Sequence, residues 1–463
     1  MIDIKDVTYY YGGSDKPNIE NIDVHINDGE CVVLTGESGC GKTCITRLIN
    51  SLIPHFYEGT MTTGNVLMNG EDLSGFEPYQ LSSKVGSVFQ NPRSQFFSLD
   101  SDSEIAFGME NSGIPREEMQ RRFQNTAKEL NIEPLLHHKL FELSGGQKQM
   151  IAIASVYALG PEIYVLDEPT SNLDPEAIED LRRLLFKLKE QGKTIIISEH
   201  RLYFLNGLAD RIYVMNHGKI ISSYTGKELV DMPKEEYKKI GIRSFINTPN
   251  DVPVLKRVPR STLLGKNRDE NILEVRNLSV GYQMGHPVAK EISFAVKKGE
   301  IIGITGRNGC GKSTLARTLC GLQKRLGGSI TCKDKPYMVM QDTDYQLFSE
   351  SVAEELRRTD LGGDQGIVDA YIDELNLTRF KDKHPMSLSG GAKQRTAIAV
   401  AALMNRSVLI FDEPTSGLDL RNMQRVGDIL KKLAAKGKAI LVISHDMELL
   451  REISDYIYPM GRI

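Results

Sequence analysis

Hydrophobic runs cut short by glycine set the rhythm of this chain. The segment Glu30-Cys31-Val32-Val33-Leu34-Thr35 is apolar without polar alternation, as in a parallel strand covered on both faces. A glycine-rich loop follows directly, and Ile45, Leu48, Ile49 and Leu52 then recur at helical spacing, which predicts strand, loop and helix in that order. Ile163-Tyr164-Val165-Leu166, Val408-Leu409-Ile410-Phe411, Thr194 to Ser198 and Ala439 to Ile443 read as further buried strands. At the N-terminus, Met1 to Asp6 alternates apolar and charged residues, which predicts an edge strand.

The pattern occurs twice. Gly36-Glu37-Ser38-Gly39-Cys40-Gly41-Lys42-Thr43 returns as Gly306-Arg307-Asn308-Gly309-Cys310-Gly311-Lys312-Ser313, with the lysines 270 positions apart. Leu143-Ser144-Gly145-Gly146-Gln147 matches Leu388-Ser389-Gly390-Gly391-Ala392, Asp167-Glu168 matches Asp412-Glu413, and His200 matches His445, all 245 positions apart. The second copy is therefore shorter by 25 residues, lost between its loop and its Leu-Ser-Gly-Gly segment. Between the copies the chain carries Pro233, Pro249, Pro253 and Pro259, with Lys256, Arg257, Arg260, Lys266 and Arg268, and shows no helical periodicity after Ile242. The expected division is a first domain over 1–235, a solvated connector over 236–270 and a second domain over 271–463.

The chemistry lies where these strands end. In strand, G-x-x-x-x-G-K-[ST] loop and helix, backbone N–H groups and a helix N-terminus hold phosphate oxygens. Lys42 and Lys312 would reach the β and γ phosphates, and the hydroxyls of Thr43 and Ser313 would bind Mg²⁺. Asp167 and Asp412, each closing a buried strand, suit a metal or its water shell. The adjoining Glu168 and Glu413 suit a base that takes a proton from an attacking water. His200 and His445 emerge at the carboxyl ends of two more buried strands, where α/β sheets collect ligands, and point to γ-phosphate contact.

Composition narrows the setting. With 463 residues, 40% hydrophobic and 25% charged, the chain has the make-up of two globular domains, and a formal charge of -4 offers no general attraction to nucleic acid. No nucleic-acid partner is expected. The longest apolar stretches, such as Ala397 to Met404, fall far short of the roughly 20 residues that span a bilayer. With no signal-peptide pattern at the N-terminus, a cytoplasmic location is expected. Six cysteines without C-x-x-C spacing indicate neither zinc site nor disulfide framework; Cys40 and Cys310, inside the glycine loops, are places where alkylation should block nucleotide.

With the Leu-Ser-Gly-Gly segments included, the order of motifs resembles the ATP-binding cassette (ABC) family over nearly the whole chain outside the connector. The resemblance implies an α/β fold of two P-loop NTPase domains, each with a mainly parallel sheet core, an antiparallel β subdomain and an α-helical signature subdomain. It makes Ser144 to Gln147 and Ser389 to Ala392 signature motifs, Gln90 and Gln341 the Q-loop glutamines that also meet the metal, Asp174 and Asp419 the D-loop markers, and His200 and His445 the switch histidines. Tyr11 and Tyr282 fall where the family stacks an aromatic ring on adenine. The two cassettes of one chain would pair head to tail. Gly36, Gly39, Gly41, Lys42, Thr43, Gln90, Asp167, Glu168 and His200 would then act with Ser389 and Gly391, and Gly306, Gly309, Gly311, Lys312, Ser313, Gln341, Asp412, Glu413 and His445 with Ser144 and Gly146. Neither site lacks an essential group, so two ATP- and Mg²⁺-dependent ATPase sites are expected.

Phe89 to Gln95 and Met340 to Gln346, followed by acidic segments at Asp100 to Glu104 and Glu350 to Glu355, together with Ser198 to Leu202, are similar to the ATPases of energy-coupling factor (ECF) transporters. That likeness implies a motor on the inner face of the cell membrane, working with a transmembrane scaffold and a small substrate-binding membrane protein, and a vitamin, vitamin precursor or metal ion as cargo. Two alternatives stand beside it. A ribosome-acting tandem ABC protein would carry a long charged helical linker, where this connector is broken by proline. A tandem sugar-importer ATPase often has a degraded second site, where Lys312, Asp412, Glu413 and His445 are all present.

Overall fold

The computed structural model describes residues 1–171, 173–246, 252–254, 271–282, 286–359 and 365–461. They fall into two compact units, Met1–Asn247 and Thr248–Ile463. The predicted α/β architecture, with its parallel core, antiparallel sheet and helical part, is present in both.

In the first unit a six-stranded sheet runs in the order Lys219–Thr225, Arg211–Asn216, Cys31–Gly36, Thr194–Ser198, Ile163–Asp167, Val85–Val88. Every neighbouring pair is parallel except the outermost, where Lys219–Thr225 returns antiparallel along Arg211–Asn216. The unbroken apolar runs have a simple cause. Side chains alternate between the faces of a strand, and each face here has its own core: Val33, Tyr164, Leu166, Ile195 and Ile197 pack with the helices, while Val32, Leu34, Ile163, Val165 and Ile196 pack toward the second sheet. A polar residue on either side would be buried.

That second sheet is antiparallel, in the order Ile19–Ile26, Ile2–Tyr11, Gly59–Met68, Glu71–Asp72. The N-terminal strand is therefore interior, paired on both sides, and not the edge strand its alternation predicted. The alternation comes from facing: Ile2 and Ile4 turn into the core while the other face meets solvent. The helix after the glycine loop spans Lys42–Ile49 and caps at Asn50; Leu52, which extends its apolar spacing, opens a separate short turn. Helices Ser101–Asn111, Arg116–Glu129, Gly145–Leu159 and Pro175–Glu190 pack around this frame, burying Ile105, Met109, Ile151, Ile153 and Leu181.

The second unit repeats this plan with five parallel strands, ordered Tyr337–Val339, Val408–Asp412, Ala439–Ile443, Ile301–Thr305, Tyr456–Pro459, and a three-stranded antiparallel sheet, Ala289–Lys297, Asn271–Val280, Gly327–Cys332. Leu409, Phe411, Ile440 and Val442 face one core, and Val408, Ile410, Leu441 and Ile443 the other.

The ground between the copies is shared out. Helix Lys234–Ile240 belongs to the first unit, where Tyr237, Ile242 and Phe245 join the core. Val252 is buried in the core of the second unit, and Val254 bridges Ile457 in parallel, with the Ile457 N–H donating to the Pro253 carbonyl at 2.9 Å. The basic residues Lys256, Arg257, Arg260, Lys266 and Arg268 lie outside the described residues. Among the described residues, no helix is long and apolar enough to cross a membrane.

Candidate functional site

In each unit the parallel strands deliver their carboxyl ends to one edge. Cys31–Gly36 opens the first glycine loop with Gly36 at φ 138°, and a Cβ there would sit 2.0 Å from the Met215 carbonyl oxygen, so only glycine fits. Gly306 is held in the same way, at φ 149° and 2.5 Å from the Met460 oxygen. Gly39, Gly41, Gly309 and Gly311 complete loops that run straight into helices Lys42–Ile49 and Lys312–Leu319, which leaves unbonded N–H groups facing the loop. Both lysines are buried and curl over their own loops: Lys42 Nζ donates to the carbonyls of Gly36 and Glu37 at 3.2 and 3.1 Å, and Lys312 Nζ to those of Gly306 and Arg307 at 2.6 and 3.0 Å. Cys40 and Cys310, within these loops, are buried.

The acids stand where the strands end. Asp167 is buried, and burial pushes its carboxyl above the usual carboxylate range; the neighbouring Glu168 adds to this, while Ser198, Thr43 and Lys42 oppose it. Asp412 is raised for the same cause, with Ser313 and Lys312 opposing. Among the described residues the Oδ1 atom of Asp167, which is buried, has no hydrogen-bond partner. A carboxylate so placed beside the Thr43 hydroxyl fits a cation, and so does the pair Asp412 and Ser313. Among the described residues no three His, Cys, Asp or Glu gather into a metal cluster.

Glu168 and Glu413 both adopt left-handed backbone, at φ 45° and 51°, a strained choice for glutamate that surrounding hydrogen bonds must hold. Their amides donate to the Ser198 and Ile443 carbonyls at 2.8 Å. Burial would raise Glu168, but its His200, Lys42 and Gln90 contacts prevail and hold it below the usual range. Gln90 Nε2 donates to Glu168 at 2.7 Å; His200 Nε2 lies 3.4 Å from both Glu168 Oε1 and Lys42 Nζ. In the second unit His445 Nε2 is 3.7 Å from Glu413 Oε1 and 3.3 Å from Asn308 Oδ1, and Gln341 is exposed at the end of its strand. The loop, acid, glutamate and histidine thus meet within each unit.

The remaining predicted residues stand on other elements. Ser144 caps helix Gly145–Leu159, its hydroxyl accepting from Gln147 N–H while the Gln147 side chain accepts from the Ser144 N–H. Ser389 opens helix Gly390–Leu403 without that box, because Ala392 stands in place of glutamine. Gly146 and Gly391 lie in the first turns of these helices, and Asp174 and Asp419 cap the helices that follow the acids. Tyr11 is packed: Arg47 donates to its hydroxyl at 3.0 Å, and Tyr9 meets its ring edge-on at 5.1 Å. Tyr282, by contrast, is 70% exposed. Sequence reasoning missed Arg47, and also the buried carboxylates Glu199 and Asp446, which flank the two histidines on opposite sides; only the departure from alignment at Ser198-Glu199-His200-Arg201 against Ile443-Ser444-His445-Asp446 could have signalled them.

Fold and sites define a tandem P-loop nucleotide-binding protein. The family described as "ABC transporter" matches residues 19–171 and 289–416, and a second, "AAA domain, putative AbiEii toxin, Type IV TA system", overlaps it at 137–206 and 385–451. A Treponema denticola protein named "Putative ABC transporter ATP-binding protein" is 46% identical, covering 98% of this chain and 94% of its own length. A Bacillus subtilis protein named "Putative HMP/thiamine import ATP-binding protein" is 30% identical, covering 99% of this chain and 89% of its own. A solved structure of ribosome-bound archaeal Pelota and ABCE1 is similar with a TM-score of 0.72 over 98% of this chain and 75% of that one; at 23% identity the likeness is one of fold. The chain belongs to the ABC transporter family of ATP-binding proteins, and is an ABC ATPase with two fused cassettes.

Proposed function

We propose that the chain is the ATP-hydrolysing motor of an ABC importer of the ECF type, docked on the inner face of the cell membrane through a transmembrane scaffold that works with a small substrate-binding membrane protein. One observation carries this reading. After each Q-loop glutamine, apolar side chains stand out in solvent: Phe97 at 78% and Leu99 at 83% exposure in the first unit, Tyr345 at 71% and Phe348 at 77% in the second. These segments are built, not slack. Buried Glu104 takes the N–H groups of Phe97 and Ser98 at 3.0 and 2.8 Å, buried Glu355 takes those of Phe348 and Ser349 at 2.8 and 2.7 Å, and Phe97 stacks on Phe107. Two shaped apolar surfaces in matching places suit two coupling segments of a membrane partner. The Bacillus subtilis relative's name adds support for a vitamin or vitamin precursor as cargo.

At each site the proposed division of labour follows the chemistry of the groups. Lys42 or Lys312 and the loop N–H groups hold the phosphates, with Tyr11 or Tyr282 against the adenine; Ser389 and Gly391, or Ser144 and Gly146, from the other cassette close over the γ-phosphate. Mg²⁺, held by Thr43, Asp167 and Gln90 or by Ser313, Asp412 and Gln341, would neutralise charge on the β and γ oxygens. Glu168 or Glu413 takes the proton of the attacking water, and His200 or His445 orients the γ-phosphate. Loss of that phosphate lets the cassettes part and releases the work to the scaffold.

The exposed Tyr282 allows a contrast. Tyr282→Ala is expected to weaken ATP binding at its site about tenfold, the value of a stacked base, with the melting temperature unchanged. Tyr11→Ala should lower the melting temperature as well, because Arg47 and Tyr9 each lose a partner. Calorimetric titration and thermal melting read the two effects. The function itself is tested by affinity capture from detergent-solubilised membranes with mass spectrometry. A polytopic scaffold and a small membrane protein are the expected partners; sedimentation with ribosomes and no membrane partner would overturn the importer reading while leaving the ATPase in place.

A further inference from the structure

Both histidine loops are tied to the turn that follows the glutamate base, but by carboxylates from opposite sides of the histidine. In the first unit buried Glu199 precedes His200. Its Oε2 accepts from the Thr170 hydroxyl at 2.6 Å and the Thr170 N–H at 3.3 Å, and its Oε1 from the N–H groups of His200 and Arg201 at 2.7 and 3.1 Å. In the second unit the residue before His445 is Ser444, and the buried carboxylate is Asp446, after the histidine. Asp446 Oδ2 accepts from the Thr415 hydroxyl at 2.8 Å, its Oδ1 takes the Leu449 N–H at 3.3 Å, and its own N–H donates to the Ser444 hydroxyl at 3.0 Å. Thr170 and Thr415 occupy equivalent places, two residues beyond Glu168 and Glu413, and both are fully buried.

We propose that Glu199 and Asp446 are equivalent positioning residues, each clamping a switch-histidine loop to the Glu-Pro-Thr turn that presents the base. The turns need such a hold. Their glutamates sit in left-handed backbone, which persists only where the surroundings over-determine it. A buried carboxylate with several donors supplies charge-assisted bonds stronger than neutral ones. The transposition also sets what the base itself must do. In the second unit Glu413 accepts the His445 N–H at 3.2 Å and the Ser444 hydroxyl at 3.2 Å; in the first, Glu199 takes the His200 N–H, and the Glu168 carboxylate is left to Gln90 and the His200 ring. Each clamp thus fixes the distance between histidine and glutamate through bonds to the protein's own backbone and hydroxyl groups.

Transposition supplies the test, made on the full chain by steady-state ATP hydrolysis, nucleotide titration and thermal melting. Glu199→Ser with Asp446→Ser is expected to lower kcat about tenfold or more, the loss of a hydrogen bond to a charged group, with KM nearly unchanged. Exchanging the two arrangements, by E199S/R201D in the first unit and S444E/D446R in the second, returns one carboxylate to each loop on the other side of its histidine and is expected to restore most of the rate. An exchanged chain that melts and binds nucleotide like the parent but stays slow would overturn the proposal. So would a parent rate in E199S/D446S. E199Q/D446N keeps the volume of both side chains and guards against misfolding: lowered kcat at an unchanged melting temperature supports the clamp, and an unchanged kcat sinks it. The inference rests on the roles proposed for His200, Glu168 and their counterparts, which are tested separately by replacing the glutamates while both clamps stay in place.

Discussion

A chain carrying both Glu168→Gln and Glu413→Gln is expected to bind ATP about as tightly as the parent and to hydrolyse it at least about 100-fold more slowly, the usual contribution of a positioned base. Glutamine keeps the length and shape of the side chain and can still accept the hydrogen bonds that Glu413 receives from Ser444 and the His445 amide. It cannot take up a proton from water. Because nucleotide is retained, the variant should also accumulate in the ATP-bound state. Single-turnover hydrolysis and equilibrium binding separate the two effects; hydrolysis at the parent rate would show that another group takes the proton.

Lys42→Ala with Lys312→Ala should act at the earlier step. Each ammonium is buried at a helix N-terminus, already bonded to two loop carbonyls, and is expected to exchange those carbonyls for phosphate oxygens when nucleotide enters. Charge-assisted bonds of this kind contribute roughly 1.5–3 kcal/mol each, so ATP affinity at each site should fall about 10- to 100-fold. The melting temperature without nucleotide should hardly move, since the substitution also removes the cost of burying a charge. Loss of binding together with a lowered melting temperature would instead make the lysines part of the fold rather than of the ligand site.

Much of this was legible in the sequence because it depends on local rules. Apolar runs without alternation gave the buried strands, and each run does divide its side chains between two cores. The order of strand, glycine loop and helix could be read because glycine at Gly36 and Gly306 meets a steric demand that no other residue satisfies. What stayed hidden depends on contacts distant in sequence. Alternation at Ile2 and Ile4 shows that one face of a strand is wet, and an interior strand of an antiparallel sheet satisfies that as well as an edge strand. The capture of Tyr11 by Arg47 joins residues 36 positions apart. Glu199 and Asp446 do not align with each other, so comparison of the two copies position by position passes over a shared task. Nor did proline and charge between the copies reveal that Tyr237, Phe245 and Val252 are core residues.

The bridge between Val254 and Ile457 changes where the second cassette begins as a piece of material. In the first cassette the flank of Arg211–Asn216 is covered by Lys219–Thr225; in the second, Tyr456–Pro459 is met on its flank by Val254, which arrives from ahead of the domain. A recombinant fragment cut at Asn271, where the first strand starts, would leave the Ile457 amide without the Pro253 carbonyl and bare part of a sheet margin that other chains can pair with. A fragment that starts ahead of Val252 keeps that margin closed. For anyone preparing the halves separately, the safe place to cut is upstream of the valines.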